Sequence, residues 1–205
     1  MFVLTADQRG SRSSADRVGA GLRLLAGVVA TPARGFERTA GDELQGVLDD
    51  ADDVVRAVLA LVRDGAWSVG VGVGAVERPL PASTRAGRGP AFTAAREAVE
   101  AAKQRPFRAA VVGAGRCAPV AADADAVLAL VLAVEARWSA EAVEAVGLVE
   151  SGLTQTAAAE RLGVTRQAVG QRLQAALHRQ HDDALGAVRH LLERADAAAR
   201  TEEPA

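Results

Sequence analysis

The chain has 205 residues and only one cysteine, Cys117, which excludes a disulfide framework and a cysteine-cluster metal site. It has no tyrosine, and aromatic residues make up 3% of it, which argues against the stacking surface that single-stranded nucleic acid needs. The N-terminal sequence has no basic segment followed by an apolar run, so no signal peptide is predicted. No window is apolar for long enough to span a bilayer, and we therefore expect a cytoplasmic protein with no membrane partner.

Alanine, valine and leucine supply most of an ample apolar fraction, and their spacing changes along the chain. Up to about Gly113, strand and helix patterns follow the order β-α-β-β-α-β-α-β, with Gly41 and Asp42 at a hairpin tip. Beyond residue 123 the apolar spacing is helical. The sequence predicts an α+β fold with a ferredoxin-like βαββαβ core plus a further helix and strand at 1–113. A linker at 114–123, an all-α domain at 124–199 and a disordered tail at 200–205 are predicted to follow.

One predicted strand, residues 67–76, alternates strictly between bulky and small residues. Trp67 and the valines fall on one face, and Gly70, Gly72 and Gly74 fall on the other. The glycine face predicts that a helix or a ligand approaches the backbone closely there.

Residues 153–177 have the pattern of two short helices joined by a tight turn. Thr154 and Thr165 are placed to cap the two helices, and Gly163 falls at the bend, where a positive φ costs glycine little. Val169 and Leu173 recur at helical spacing and are expected to face inward. The pattern is typical of a helix-turn-helix at 154–177, whose second helix enters the DNA major groove.

The second helix then presents a polar surface. Its predicted DNA-binding residues are Thr165, Arg166, Gln167, Gln171, Arg172 and Gln174. Glutamine can pair bidentately with adenine, and arginine with guanine or phosphate. Residues 151–180 contain four arginines and one glutamate, whereas the whole chain has a net charge of −2. A helical hairpin that only packs on its neighbours, or one that binds a protein, fits the same pattern.

Two carboxylates of the first half are predicted to converge at one edge of the sheet. Asp7 ends the first strand and Asp42 lies at the hairpin tip, and these strands are neighbours in a βαββαβ sheet. Such a pair suits Mg²⁺, which takes one or two carboxylates together with phosphate oxygens. A turn at Asp7 and an ordinary Gly-Asp hairpin are the other interpretations.

A basic, glycine-rich loop at 79–89 lies between a predicted strand and helix. Arg85, Arg88 and Gly89 could hold a phosphate together with backbone N–H groups and the N-terminus of the following helix. This predicted site shares a domain with the two acids, and we expect both on one edge of the sheet. A flexible surface loop is the alternative.

Several of these motifs resemble known families. Residues 153–177 are similar to the fourth-region helix-turn-helix of sigma factors, through Ala159, Gly163, Val169 and Leu173. TADQRGSR, AGDELQG and VGVGVG resemble the palm domain of class III nucleotide cyclases and of diguanylate cyclases, whose metal aspartates stand at the positions of Asp7 and Asp42. This resemblance implies that Arg96, in TAAREA, stabilises a transferring phosphate, although Phe92 stands where an asparagine is expected.

Over nearly its whole length the chain resembles the SatD family. The matching segments are Asp7, GDELQG, GVGVGAVE, GRGPAFTAARE and the C-terminal helix-turn-helix. Arg88 stands where that family often carries an acidic residue. The resemblance implies a palm-like domain tethered to a DNA-binding domain, without an established reaction.

Three functions follow from these predictions. The first is a transcriptional regulator that binds double-stranded DNA and a nucleotide or other phosphorylated ligand, and that dimerises because helix-turn-helix proteins usually read paired half-sites. The second is a metal-dependent nucleotidyl- or phosphoryl-transfer enzyme that uses Asp7, Asp42 and Arg96. The third is a scaffold that uses the helix-turn-helix on a protein partner.

Overall fold

The computed structural model describes residues 1–11 and 13–201, so Arg12 and the predicted tail at 202–205 lie outside the described residues. A five-stranded mixed sheet has the strand order β2-β3-β1-β4-β5. Its strands are β1 (Phe2–Gln8), β2 (Arg34–Arg38), β3 (Glu43–Leu48), β4 (Trp67–Val73) and β5 (Ala109–Gly113). β1 pairs antiparallel with β3 and β4, β2 pairs antiparallel with β3, and β5 pairs parallel with β4.

Three helices connect these strands: α1 (Val18–Val28), α2 (Ala51–Asp64) and α3 (Pro90–Lys103). The predicted order of the first eight elements is therefore confirmed, as is the mixed α and β composition. The hairpin tip also lies where the sequence predicted it, since Gly41 has a φ of +55° just before β3.

The glycine face of β4 is covered by α3, so the close approach predicted there is that of a helix. A Cβ atom added to Gly72 would lie 2.1 Å from the Ala91 carbonyl oxygen, and one added to Gly70 would lie 2.2 Å from the Val99 nitrogen. Because no side chain separates them, α3 packs its backbone directly on β4, which fixes both ends of this helix against the sheet.

The predicted linker at 114–123 is wrong, because this segment is helical and packed. A short 3₁₀ turn at Gly115–Cys117 leads into α4 (Ala118–Glu135), and Cys117, Ala121 and Ala124 are all fully buried. Asp125 accepts hydrogen bonds from the Val111 backbone N–H (2.8 Å) and from the Arg105 guanidinium (2.6 Å). The carboxylate thus binds a backbone donor of β5, which is the edge strand of the sheet.

The expectation that no segment could span a bilayer is also wrong by length and composition. The 21-residue stretch Gly115–Glu135 reaches a mean hydropathy of 1.9. One third of its most apolar 18-residue window is buried. The core helix of a globular protein can have the same length and hydropathy. The contacts of Asp125 and of the buried alanines attach it to the sheet, and the cytoplasmic location remains a prediction.

The chain divides into two compact units. The sheet unit comprises Met1–Ala129 and the chain from Ala187 onward, and the helical unit comprises Leu130–Gly186. This division differs from the predicted one because α4 and α8 (His178–Arg200) each run continuously from one unit into the other. α8 also includes Arg200, the first residue of the predicted tail.

The helical unit contains three further helices, α5 (Ala140–Glu150), α6 (Gln155–Leu162) and α7 (Arg166–Ala175). Small residues dominate its core, which consists of Ala142, Ala145, Val146, Ala158, Ala159, Val169, Leu173 and Ala176. Trp138 packs against this core and donates from its indole N–H to the Ala176 carbonyl oxygen (2.8 Å). His181 is buried beside Trp138, and its Nε2 atom lies 2.8 Å from Glu135 Oε1.

Candidate functional site

Each of the two helices of the helix-turn-helix begins at the N-cap threonine that the sequence predicted. The Thr154 hydroxyl accepts a hydrogen bond from the Ala157 N–H (3.2 Å), and the Thr165 hydroxyl accepts one from the Ala168 N–H (3.1 Å). Between the helices, Gly163 ends α6 with a φ of +65°. The capping and the turn are confirmed, and they set the direction in which α7 leaves the bend.

Four polar side chains of α7 line one open groove of about 570 Å³. Its lining residues are Gln155, Arg166, Gln167, Gly170, Gln171 and Gln174. Val169 and Leu173 are buried on the opposite side of α7, as predicted, so the helix has a clear inner and outer face. The groove is lined by four side-chain amides and one guanidinium, with no carboxylate among its lining residues.

Two of the predicted DNA-binding residues do not line this groove. The Thr165 hydroxyl is engaged as the cap of α7, and Arg172 is half-buried. The Ser139 hydroxyl and, more weakly, the charge of Arg172 hold the pKa of the Glu141 carboxyl below its usual range. The sequence missed Gln155, which belongs to α6 and reaches the groove only because the two helices cross.

Asp7 and Asp42 line one pocket of about 890 Å³ in the sheet unit, so the predicted convergence of the two acids is observed. Burial raises the pKa of the Asp7 carboxyl, and the negative charge of Asp42 adds to this rise. The Lys103 ammonium opposes it from 3.2 Å away, at the C-terminal end of α3. Arg9 and Arg108 also line the pocket, which we call the acid pocket although it carries charges of both signs.

Lys103 is a site residue that the sequence analysis missed. It contacts Glu100 (2.8 Å) as well as Asp7. Burial lowers the pKa of its ammonium, but the hydrogen bonds to Glu100 and Asp7 outweigh that effect and raise the pKa overall. Composition could have pointed to this residue. Lys103 is the single lysine of the sequence, and apart from histidine every other basic side chain is an arginine.

One oxygen of the Asp7 carboxylate, Oδ2, already contacts the Lys103 ammonium. The acid pocket supplies two carboxylates, and Mg²⁺ takes such a pair together with phosphate oxygens. Among the residues that the structure describes, no group of three or more histidine, cysteine or carboxylate side chains is arranged to hold a metal ion. The predicted Mg²⁺ therefore remains a prediction, and its binding would compete with the Lys103 ammonium for the Asp7 carboxylate.

The predicted phosphate-binding residues gather in a different pocket of about 410 Å³. This arginine pocket is lined by Arg85, Ala86, Gly87, Arg88, Gly89, Phe92, Thr93 and Arg96. It shares no lining residue with the acid pocket. Arg96 and Lys103 are seven residues apart on α3, which is a rise of about 10 Å. The expectation that the acids and the phosphate loop share one edge is wrong, because the acid pocket includes Ser68 near the start of β4, whereas the loop with Arg85 and Arg88 follows the end of β4.

Two backbone donors at the N-terminus of α3 make hydrogen bonds within the protein. Pro90 has no N–H, the Ala91 N–H donates to the Ala75 carbonyl (3.1 Å), and the Phe92 N–H donates to the Gly89 carbonyl (3.0 Å). In the preceding loop the Thr84 N–H donates to Glu37. These three backbone donors are already used, and the formal positive charge of the arginine pocket is that of its arginine side chains.

Comparison of the chain with protein-family models, with curated proteins and with solved structures gives no match. Three arrangements of side chains within the chain itself are candidates for function. These are the amide-lined groove of α7, the acid pocket and the arginine pocket.

Proposed function

We propose that this protein is a DNA-binding transcriptional regulator of the SatD type, with α7 as its recognition helix. The observation that carries the proposal is the groove that places three glutamines and Arg166 of α7 on one outward face. Glutamine amides read adenine edges bidentately, and a guanidinium reads guanine or phosphate. A ten-residue helix is about 15 Å long, which suits a major groove about 12 Å wide.

The charges of residues 151–180, four arginines and one glutamate, support the same proposal. Arg161, Arg166 and Arg179 are exposed on or near the helix-turn-helix, and the groove of α7 contains no carboxylate among its lining residues. A local excess of positive charge on a slightly acidic protein attracts the phosphate backbone and orients the protein for reading bases. A protein partner that used the same surface would not require this excess.

The proposal is tested by comparing variants on selected and on random DNA. Fragments bound by the protein are first selected from genomic DNA, and affinities are then measured by fluorescence anisotropy. Gln167→Ala is expected to weaken binding to the selected fragments by about 1–3 kcal/mol, with little change on random DNA. Gln180→Ala is the matched control, because Gln180 is exposed but lies outside the groove.

Two outcomes would contradict this assignment. An equal loss for Gln167→Ala on selected and random DNA would remove the base-reading role. Binding that barely changes with salt would argue for a protein partner, since contacts with Z phosphates give a slope of about −0.9Z in log K against log salt. Half-site spacing in the selected fragments would test the expected homodimer.

For the sheet unit, we propose a ferredoxin-like, palm-like domain that binds a nucleotide or other phosphorylated ligand and biases DNA binding. Its strand order β2-β3-β1-β4 with the βαββαβ connection supports this description, and β5 adds a strand beside β4. A metal-dependent transferase is the second candidate, favoured by one observation, the position of Asp7 and Asp42 in a single pocket.

The separation of Arg96 from the two acids favours binding over transfer. Incubation with nucleoside triphosphates and Mg²⁺ or Mn²⁺ tests the point, with Asp42→Ala as the comparison. Turnover that is lost in Asp42→Ala would support the transferase. Equal absence of turnover in both proteins is the result expected of a binding domain.

A further inference from the structure

We infer that the arginine pocket binds the di- or triphosphate group of a small ligand without a metal ion. This inference rests on the ligand-binding role proposed for the sheet unit, but not on DNA binding by α7. It assigns the ligand to one of the two pockets and names the charged group that the pocket recognises.

Three guanidinium groups converge on this pocket without a counter-charge. Arg85, Arg88 and Arg96 are exposed, and none has an ion-pair partner among residues 1–11 and 13–201. No carboxylate is among the lining residues, so the pocket concentrates three positive charges in about 410 Å³. Planar guanidinium groups bind phosphate oxygens bidentately, and three of them match a ligand group with several negative charges.

The loop that carries Arg85 is held by a half-buried hydrogen-bond cluster. Glu37 Oε1 accepts hydrogen bonds from the Ser83 hydroxyl (2.6 Å), the Thr84 hydroxyl (2.9 Å) and the Thr84 backbone N–H (2.5 Å). Thr84 is 1% exposed. Glu37 is thus engaged by the loop backbone and hydroxyls, so its charge serves to fix the loop and does not neutralise an arginine.

Two glycines fix the other side of the loop against α3. A Cβ atom at Gly87 would lie 2.1 Å from Phe92 Cζ, and one at Gly89 would lie 2.8 Å from the Ala75 carbonyl oxygen, where φ is +119°. Arg88 is held between these two close approaches. The backbone positions of the arginines are therefore set before any ligand binds, which lowers the entropic cost of binding.

The pocket size favours a small ligand. A volume of about 410 Å³ lies within the range of small-molecule pockets, about 300–1,000 Å³. Thr93 and Arg96 are one helical turn apart on α3 and line the same pocket, so a hydroxyl donor lies beside the guanidinium groups. In the acid pocket, by contrast, Asp7 and Asp42 offset part of the positive charge of the basic lining residues, and Asp7 already pairs with Lys103.

The experiment is calorimetric titration of the whole chain with orthophosphate, pyrophosphate and tripolyphosphate in EDTA at constant ionic strength. We expect affinity to rise with the charge of the anion. Arg85→Gln, Arg88→Gln and Arg96→Gln are each expected to weaken pyrophosphate binding by roughly 10-fold or more. Arg23→Gln is the matched control, since Arg23 is an exposed arginine on α1, and Asp42→Ala tests the acid pocket; neither should weaken binding. Circular dichroism of each variant checks that it is folded.

Three results would overturn the inference. The first is no binding of any phosphate by the folded protein. The second is binding that Asp42→Ala abolishes and the arginine variants leave intact, which would place the ligand in the acid pocket. The third is that the arginine variants weaken DNA binding but not pyrophosphate binding, which would make the pocket a contact for the DNA backbone. Loss of DNA binding in Gln167→Ala is measured separately, so a failure of the DNA proposal leaves this inference standing.

Discussion

Replacing Thr165 with alanine separates the stability of the helix-turn-helix from its contact with DNA. The Thr165 hydroxyl satisfies the Ala168 N–H at the start of α7, and no methyl group can do so. Loss of such a cap costs about 1 kcal/mol of the free energy of unfolding. Ser139→Ala is the matched control, because the Ser139 hydroxyl caps α5 in the same unit through the Ala142 N–H (3.2 Å).

Both variants are expected to lose about the same stability. Urea unfolding followed by the fluorescence of Trp138 measures it, in a Trp67→Phe background that removes the other tryptophan and leaves one reporter in the helical unit. The DNA affinities should differ. Thr165→Ala frays the turn that carries Arg166 and Gln167, whereas Ser139→Ala frays a helix that contributes nothing to the groove.

The expected signature is therefore similar destabilisation with a several-fold larger loss of DNA affinity for Thr165→Ala. Thr165→Ser should restore both properties because it keeps the capping oxygen. Equal DNA affinities for the two alanine variants would refute the placement of the first turn of α7 at the DNA. A loss of stability well below 0.5 kcal/mol in Thr165→Ala would refute the cap itself.

Three further predictions concern stability. Gly72→Ala should lower the free energy of unfolding by about 1–3 kcal/mol or more, because the added methyl group would overlap the backbone of α3. Gly147→Ala in α5 should raise it by up to about 1 kcal/mol, because the added methyl group meets open space. Urea unfolding measures both. Leu177→Asn should raise the thermal midpoint, because Leu177 has a φ of +53° and a side chain that is 48% exposed; a lower midpoint would contradict the strain argument. Glu37→Gln should destabilise the protein at pH 7, because the hydrogen bond from the Ser83 hydroxyl lowers the pKa of the Glu37 carboxyl in the folded state. The stabilisation by ionised Glu37 is present above about pH 4.3 and is lost as the pH falls through the pKa of the folded state. The unfolding curves of the original protein and the variant should therefore converge in acid.

The helix-turn-helix was the most predictable part of the protein because its signals are local. A capping hydroxyl, a glycine at a bend and a helical spacing of Val169 and Leu173 each involve residues within one or two turns. The hairpin tip at Gly41 was local in the same sense. The strict alternation of β4 predicted a close approach, but only the structure identified α3 as the approaching element.

Features that join distant segments were missed or placed wrongly. Lys103 at the end of α3 contacts Asp7 of β1. Gln155 belongs to α6, whereas the other residues that line the groove belong to α7. The segment at 114–123 is rich in small residues and so resembles a linker, yet Cys117 and Ala121 are buried because small side chains permit close packing.

The sequence alone identified the basic, amide-bearing and acidic residues, the order of the first eight elements and the caps and turn of the helix-turn-helix, since caps, glycines and apolar spacing act over a few residues. The tertiary structure alone decided which of these residues share a pocket. Asp7 and Asp42 meet because β1 and β3 are paired, while α3 carries Lys103 and Arg96 to separate pockets. The physical reason is that strand pairing and helix packing are set by burial of the whole apolar core, a sum over the chain that no single segment contains.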